Sequence, residues 1–291
     1  MKDKPTFLAW FLLIILALIW GSSFILIKKG LIALSAGQVG SLRILSASIF
    51  LLPVAISRLN KIPKSSVIFL ISVGLFGSLF PSFLFAIAQT RVPSSITGVM
   101  NAVTPIFTIL VGYLLYKQRY TSRVFLGILI GFVGTVILIL TGSDGNLTVN
   151  FYILYILLAT VFYALNLNVI KYHLQELRAL TITSVSLLFV GPIAGIYLIG
   201  FTPFVSTLES GGSVYWSVAA IVLLGVLGTA IALIIFNNIV RLTDPVFTSS
   251  VTYFIPLVAV LWGIFDGEVL IWLHFIGMAF IVVGVYIANR R

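Results

Sequence analysis

The chain contains ten apolar segments of about 20 residues, and these segments constrain its fold more than any other feature of the sequence. A helix rises 1.5 Å per residue, so a segment of this length spans the roughly 30 Å hydrocarbon core of a bilayer. Helices also satisfy their own backbone hydrogen bonds, which hydrocarbon cannot do for them. We therefore predict an all-α membrane protein with ten transmembrane helices, near residues 7–27, 38–57, 66–88, 93–115, 122–141, 151–170, 180–200, 214–238, 245–264 and 270–288.

The composition excludes a soluble globular domain. Hydrophobic residues make up 60% of the 291 residues, and charged residues make up 8%. Average soluble domains carry about 25% charged residues. The chain contains no cysteine, so it can form neither a disulfide nor a thiolate metal site. We expect a protein that crosses the lipid bilayer many times and uses no metal and no cofactor.

The Lys and Arg residues predict how the chain is oriented. If the N-terminus is cytoplasmic, 13 of the 17 Lys and Arg residues lie on the cytoplasmic side, three lie outside and Arg43 lies within a span. Positive residues near span ends favour the cytoplasmic side, so we expect both termini to be cytoplasmic. The formal net charge of +10 is thus a topology signal, and we expect no nucleic-acid partner.

The fourth span carries a polar stripe. Four residues follow the spacing i, i+4, i+7 and i+11, which places them on one helix face, and they are Thr97, Asn101, Thr104 and Thr108. Hydrocarbon offers them no partner, so the stripe should face protein or trapped water. Alternatively, threonines often bond neighbouring helices or their own i−4 carbonyls. The Asn101 amide carries two donors and an acceptor, which favours a cavity for this residue.

A similar segment returns in the ninth span. Four of its residues lie 151 positions after a counterpart in the fourth, and the pairs are Thr97 and Thr248, Asn101 and Thr252, Pro105 and Pro256, and Gly112 and Gly263. We interpret the two segments as paired walls of a central cavity. Each proline removes a backbone hydrogen bond, which predicts a helix kink at Pro105 and at Pro256 unless these prolines are merely tolerated.

Further residues recur between the two halves. Trp20, Gly21 and Lys28 correspond to Tyr163, Ala164 and Lys171 at an offset of 143, and Gly74, Gly77 and Phe85 correspond to Gly225, Gly228 and Phe236 at an offset of 151. The first five spans, over 7–141, therefore recur as the last five, over 151–288. Because five is odd, the second repeat must enter the membrane inverted. Inverted repeats are typical of secondary transporters, which bind substrate near mid-membrane between the halves.

These features together resemble the EamA-type transporters of the drug/metabolite transporter superfamily, over nearly the whole chain. The resemblance rests on Trp20-Gly21, on Pro105 and Pro256, on Gly267-Glu268, and on the glycines of the fifth and tenth spans. The chain departs from the family pattern at Gln118, where the first repeat usually carries Glu, and at Tyr163-Ala164, which replaces Trp-Gly. The resemblance implies a multi-pass carrier of the bacterial inner (plasma) membrane that exports amino acids or other small metabolites through a cavity between two EamA-like repeats.

Arg43 is the one formal charge well inside a span. An intramembrane Arg costs at least about 2.5 kcal/mol unless it is paired or wet. It could bind a substrate carboxylate, which a guanidinium grips with two hydrogen bonds. It could equally snorkel to the outer interface or cap helix-end carbonyls.

The remaining candidates for the cavity lining come from four spans. Ser78 and Ser82 share a face of the third span, and Asn166 lies one turn from Tyr163 on the sixth. Trp20, Tyr163 and Tyr253 could form a stacking surface, although aromatic residues at helical spacing are more often packing or interfacial belt.

Two classes of function remain open. The first is a secondary transporter that moves a small metabolite by alternating access. The second is a membrane-embedded enzyme or a lipid-handling protein such as a flippase. All seven Asp and Glu residues lie in loops or at span ends, so the sequence offers no deep carboxylate for catalysis or for a proton relay. The expected partners are a small-molecule substrate and the bilayer, and the sequence does not set an oligomeric state.

Overall fold

The computed structural model describes residues 7–118, 120–141, 150–242 and 251–289. Its α-helices are α1 (Phe7–Gly21), α2 (Ser23–Gly30), α3 (Ala36–Leu59), α4 (Val67–Gly74), α5 (Phe80–Ala88), α6 (Ser94–Asn101), α7 (Thr104–Tyr116), α8 (Ser122–Leu140), α9 (Ile153–His173), α10 (Ala179–Gly200), α11 (Phe204–Glu209), α12 (Ser213–Gly225), α13 (Ala232–Leu242), α14 (Val251–Phe265) and α15 (Trp272–Asn289). A short 3₁₀ turn covers Lys64–Ser66, and π-helical turns cover Leu75–Leu79 and Val226–Ile231.

Eight helical stretches within these ranges are long and apolar enough to cross a membrane. They are Phe7–Gly30, Ala36–Leu59, Lys64–Ala88, Ser94–Tyr116, Ser122–Leu140, Ile153–His173, Ala179–Gly200 and Ser213–Phe236. Two shorter apolar helices follow at Phe254–Phe265 and Trp272–Ala288. The all-helical membrane class is thus as predicted. The count of ten stays a prediction, because the ninth predicted span begins within 243–250, outside the described residues.

Large apolar side chains lie exposed on the outer faces of the helices, among them Leu114, Phe132 and Trp216. Exposing so many apolar side chains to water would be unfavourable. The same side chains suit the outer surface of a membrane-spanning bundle, because that surface faces hydrocarbon.

The contacts between helices follow a two-fold pattern. Three helices of the first half each pack against their own counterpart in the second, in the pairs α3 with α10, α6 with α14 and α8 with α15. The other contacts occur twice: α1 packs on α14 as α9 packs on α7, and α2 packs on α12 as α9 packs on α4. This is the pattern that a two-fold relation between the halves produces.

The close contact between α8 and α15 depends on glycine. An ideal Cβ on Gly134 would lie 2.5 Å from the carbonyl oxygen of Gly277, and one on Gly284 would overlap the amide nitrogen of Gly131. The two backbones therefore touch directly, as small residues at a membrane-helix interface allow.

The fourth span is divided rather than continuous. A turn at Ala102–Val103 separates α6 from α7, and Pro105 lies in the first turn of α7. Proline has no N–H to donate to the carbonyl of Asn101, so the helix stops at Asn101 and begins again. The sequence predicts a kink here, and the structure has a two-residue turn in which Ala102 and Val103 both keep right-handed helical dihedrals. Pro256 lies inside α14, which continues through it.

Candidate functional site

Two π-helical turns lie at equivalent positions in the two repeats, since Leu75–Leu79 and Val226–Ile231 start 151 residues apart. Such turns widen a helix and free backbone carbonyls, and they are frequent at functional sites. The indole Nε1 of Trp20 donates to the carbonyl of Gly228 at 3.0 Å. In the other repeat, the side chain of Asn166 lies against Gly77, where an added Cβ would lie 2.7 Å from the amide atoms. Each repeat thus places a polar-tipped side chain against the π turn of the other.

Arg43 projects from α3 toward α9. It is partly buried, and its guanidinium lies beside the hydroxyl of Tyr163. The Nε of Arg43 is buried and has no hydrogen-bond partner. The Tyr163 ring packs on Phe85, with the ring centroids 5.9 Å apart. The structure therefore brings together Arg43 and Tyr163, two residues that sequence reasoning selected separately.

Two amide oxygens near α9 also lack partners. The Oδ1 atoms of Asn101 and Asn166 are both buried without a hydrogen bond. Asn101 ends α6, which packs on α9, and Asn166 lies one helical turn from Tyr163. Buried acceptors without partners are rare in folded proteins, and each calls for an explanation.

The threonines of the stripe bond their own helices. The hydroxyls of Thr97, Thr104 and Thr108 donate to the carbonyls of Pro93, Asn101 and Thr104, at 2.9, 2.7 and 2.9 Å. Hydrogen bonding within the helix was the alternative to a cavity-lining role for these threonines. Asn101 differs from the other three residues of the stripe, because its side-chain oxygen has no hydrogen-bond donor.

The serines of the third span differ from each other. Ser82 is buried and donates to the carbonyl of Gly40 at 2.9 Å, which fixes α5 on α3. Ser78 is partly buried within the first π turn. Of the ninth-span candidates, Thr248 lies outside the described residues. Thr252 and Tyr253 belong to α14, but the structure does not describe their side chains.

A second polar cluster lies at the end of the spans and was not predicted as a unit. The carboxylate of Glu268 accepts hydrogen bonds from the backbone amides of Ser94 and Ser95, at 2.8 and 3.0 Å, and from their hydroxyls, at 2.7 and 2.5 Å. Lys28 donates to the same carboxylate at 2.8 Å. Ser94 begins α6, so the carboxylate also caps the positive end of that helix.

Asp266 extends this cluster. It pairs with Lys28 at 2.7 Å and also with Lys29. These hydrogen bonds and charges hold the pKa of Asp266 below its usual value. Burial pushes the pKa of Glu268 up, but the hydrogen bonds from Lys28, Ser95 and Ser94 outweigh it and the pKa is lowered. Both carboxylates are therefore ionised at neutral pH.

We refer to Lys28, Lys29, Ser94, Ser95, Asp266 and Glu268 as the outer cluster, after the side of the membrane that the distribution of Lys and Arg predicts for it. Two of its residues carry a signal in the sequence, since Glu268 belongs to the family resemblance and Lys28 recurs as Lys171. Lys28 and Glu268 are 240 positions apart, however, and nothing in the local pattern pairs them.

At the equivalent corner of the first repeat an amide, that of Gln118, takes the place of the Glu268 carboxylate. Gln118 donates to the Tyr172 hydroxyl and accepts from Tyr120, while Tyr116 stacks on Tyr172 with ring centroids 3.9 Å apart. Gln118, which departs from the family pattern, thus takes part in a neutral hydrogen-bond network.

Within the described ranges, no group of three or more His, Cys, Asp or Glu side chains could hold a metal ion. The polar groups that the structure brings together are a guanidinium, a phenol and carboxamides. These groups bind solutes by charge and hydrogen bonding.

Comparison with known proteins finds one family over both repeats. The profile of the EamA-like transporter family matches residues 7–140 and 150–290. An uncharacterized transporter of Archaeoglobus fulgidus is 25% identical over 285 residues, which cover 97% of this chain and 99% of that protein. The uncharacterized inner membrane transporter YedA of Escherichia coli K12 is 27% identical over 301 residues, covering 98% of this chain and 90% of YedA. One solved crystal structure is similar in fold, with a TM-score of 0.64, 19% identity and 96% of each chain covered.

Proposed function

The chain belongs to the EamA-like transporter family, and from this premise we propose that it is a secondary transporter that exports a small metabolite across the plasma membrane. Amino acids and related solutes are the substrates we expect. The solute moves by alternating access, in which the two halves rock around a central site.

One observation carries the proposal. Arg43 of the first half lies beside Tyr163 of the second, Asn166 lies one helical turn from Tyr163, and buried polar atoms of Arg43 and Asn166 have no partner. A protein that only had to be stable in lipid would gain by replacing them with apolar residues. Buried polar groups between the two halves are expected if a polar solute binds to them.

The proposed architecture is ten transmembrane helices in two inverted five-helix repeats, over 7–141 and 151–288, with both termini cytoplasmic. The two-fold pattern of helix contacts supports the relation between the repeats. The distribution of Lys and Arg supports the orientation.

The outer cluster is the gate that we propose for the extracellular side. It ties α2 and α6 of the first repeat to the corner after α14 of the second. A solute that leaves the cell between the halves requires these bonds to break. Because they are charged and numerous, they hold the outer end closed until the halves rock apart.

The function is tested by solute flux in sealed proteoliposomes. Wild type should move at least one small metabolite, and Asn101→Ala should reduce that flux because it removes the buried, unpartnered amide of α6, which packs on α9 beside the proposed site. Asn60→Ala is the matched control, since Asn60 is exposed beyond the end of α3. If wild type moves no amino acid, sugar, amine or organic acid in either direction, the transporter proposal fails and a lipid-handling function takes its place.

A further inference from the structure

We propose that the transported solute bears a carboxylate, that Arg43 and Tyr163 together bind this carboxylate, and that the amide oxygen of Asn166 accepts a hydrogen bond from a hydroxyl or amino group of the same solute. The inference rests on the transport function proposed above and names its substrate class.

The first argument is the placement of the charge. Among the spans that the structure describes, Arg43 is the one charged side chain that lies more than a helical turn from a span end. Its guanidinium is a positively charged group with five N–H donors. None of the described ion pairs involves it, and the neighbour of its guanidinium is the neutral hydroxyl of Tyr163. The charge is therefore uncompensated within the described part of the protein.

The second argument is the geometry of the donors and acceptors. A guanidinium binds a planar carboxylate through parallel N–H groups, and the buried Nε of Arg43 is a donor without a partner. The Tyr163 hydroxyl can donate to the same carboxylate. Asn166, one turn along α9, presents an acceptor without a partner. A guanidinium and a phenol side by side, with an amide acceptor one helical turn along α9, match a hydroxy acid or an amino acid.

Two classes of solute fit the site poorly. A solute that carries only a positive charge would be repelled by the Arg43 guanidinium, and none of the described ion pairs gives Arg43 a carboxylate that could offset this repulsion. A neutral amide or polyol would leave the guanidinium unpaired. The phenyl ring of Phe85 against Tyr163 adds an apolar wall, which suits the carbon skeleton of a small organic acid.

A structural role for Arg43 makes different predictions. If the side chain only snorkels to the outer interface, its removal should change expression or thermal stability equally in the presence of every solute. If it binds a carboxylate, its removal should abolish the difference between an acid and the corresponding amide.

The experiment compares carboxylates with their isosteric amides on the purified full-length protein. The probe pairs are lactate with lactamide and serine with serinamide, so that the two sources of a carboxylate, hydroxy acid and amino acid, are separated. Binding is read as the shift of the thermal unfolding midpoint with solute concentration, and flux is read in parallel in proteoliposomes. We expect at least one carboxylate to bind roughly ten- to a hundredfold more tightly than its amide, which is the effect of a charged hydrogen-bonded pair.

Three variants decide the role of the residues. Arg43→Gln should remove the preference for the carboxylate, and Arg43→Lys should keep part of it. Asn166→Asp supplies a carboxylate one turn from Tyr163, so it should raise the unfolding midpoint without solute and weaken carboxylate binding. If Arg43→Gln does not fold, the other two variants still test the inference.

The two proposals fail in different ways. Wild type that moves a neutral or cationic solute, with flux unchanged in Arg43→Gln, overturns the carboxylate inference and leaves the transporter standing. Equal binding of acid and amide by wild type also overturns the inference. Wild type that binds carboxylates in an Arg43-dependent way but moves none of them contradicts the transport function and supports the site.

Discussion

Glu268 joins two helices of the first repeat to the corner between α14 and α15. Its side chain is 4% exposed and accepts five hydrogen bonds, from Lys28 of α2 and from Ser94 and Ser95 of α6. Hydrogen bonds to a charged group contribute about 1.5–3 kcal/mol each. One carboxylate can therefore hold the outer ends of the halves together.

We expect Glu268→Gln to loosen the outer gate. The amide keeps the shape of the side chain but loses the charge that pairs with Lys28. The chain has no cysteine of its own, so Ser23→Cys can serve as a single reporter, placed about 7 Å inward of Lys28 along the helix. Addition of Glu268→Gln should raise the rate at which an impermeant thiol reagent labels this reporter thiol from outside. Glu209→Gln, at an exposed acid, is the matched control. Equal labelling with and without Glu268→Gln would show that the cluster is not a gate.

The outer cluster should also make stability depend on pH in a defined direction. The pKa values of Asp266 and Glu268 are both lowered in the folded protein. A carboxylate of this kind contributes stability above its unfolded pKa, and the contribution is lost as the pH falls through the folded pKa. We expect the contribution of the outer cluster to the stability of wild type to be constant between about pH 7 and pH 5, and to fall below that.

Comparison with Glu268→Gln isolates the part that Glu268 contributes. The wild-type midpoint should exceed that of the variant at neutral pH, and the difference should shrink in the acid range where Glu268 itself becomes protonated. A difference that is constant down to about pH 3 would mean that the carboxylate charge does not contribute to stability.

At the scale of helices, the pair α8 and α15 depends on the absence of side chains. A Cβ on Gly134 would lie 2.5 Å from the Gly277 carbonyl oxygen, which neither backbone can accommodate without moving apart. Gly200, at the end of α10, has no heavy atom within 4 Å of the same position. The two glycines lie in helices of similar hydrophobicity and differ in what surrounds them.

Alanine at these two positions should therefore have opposite effects. Gly134→Ala should destabilise the protein by about 1–3 kcal/mol, because it overpacks a rigid contact. Gly200→Ala should be neutral or stabilise slightly, because alanine restricts the unfolded chain more than glycine does. Thermal or detergent unfolding of both variants measures the difference. A loss at Gly200 as large as that at Gly134 would mean that helix separation is not the cause.

The individual elements were predictable to different extents. The helices follow from hydrophobic length, which is a local pattern, whereas the direct contact of α8 with α15 through their glycines became visible only in the structure. The spacing that defines the polar stripe did not show that its threonines bond carbonyls of the preceding turn, nor that a turn after Asn101 divides the helix that carries it. The π turns have no sequence signal beyond glycine, and their equivalence became visible only in the structure.

At the scale of the whole molecule, the repeat and the family could be predicted from the sequence, and the family profile confirms the latter. The pairing of distant residues could not. Arg43 and Tyr163 are 120 positions apart, and Trp20 and Gly228 are 208 positions apart. Composition and spacing select such residues one at a time, whereas only the packing of the halves decides which of them meet.

The proposed alternating-access mechanism requires the ends of α6 and α14 at the outer cluster to separate in each transport cycle, and this requirement can be tested with a reversible cross-link. An ideal Cβ on Gly263 would lie 2.7 Å from the Cβ of Ser95, somewhat closer than the roughly 3.5–4.5 Å of a disulfide. A small adjustment should therefore allow Ser95→Cys with Gly263→Cys to form a disulfide between the two repeats.

Oxidation of this double variant should abolish flux, because the disulfide fixes the gate closed, and reduction should restore it. Neither single variant should respond to oxidant, since the natural chain contains no cysteine. Ser95 and Gly263 both lie beside Glu268, so the two substitutions themselves alter the outer cluster. The flux of the oxidised double variant is therefore compared with the flux of the same variant after reduction, and not with wild type. Full flux through the oxidised, cross-linked protein would mean that the solute does not pass between α6 and α14, and the rocking of the two halves around a central site would have to be abandoned.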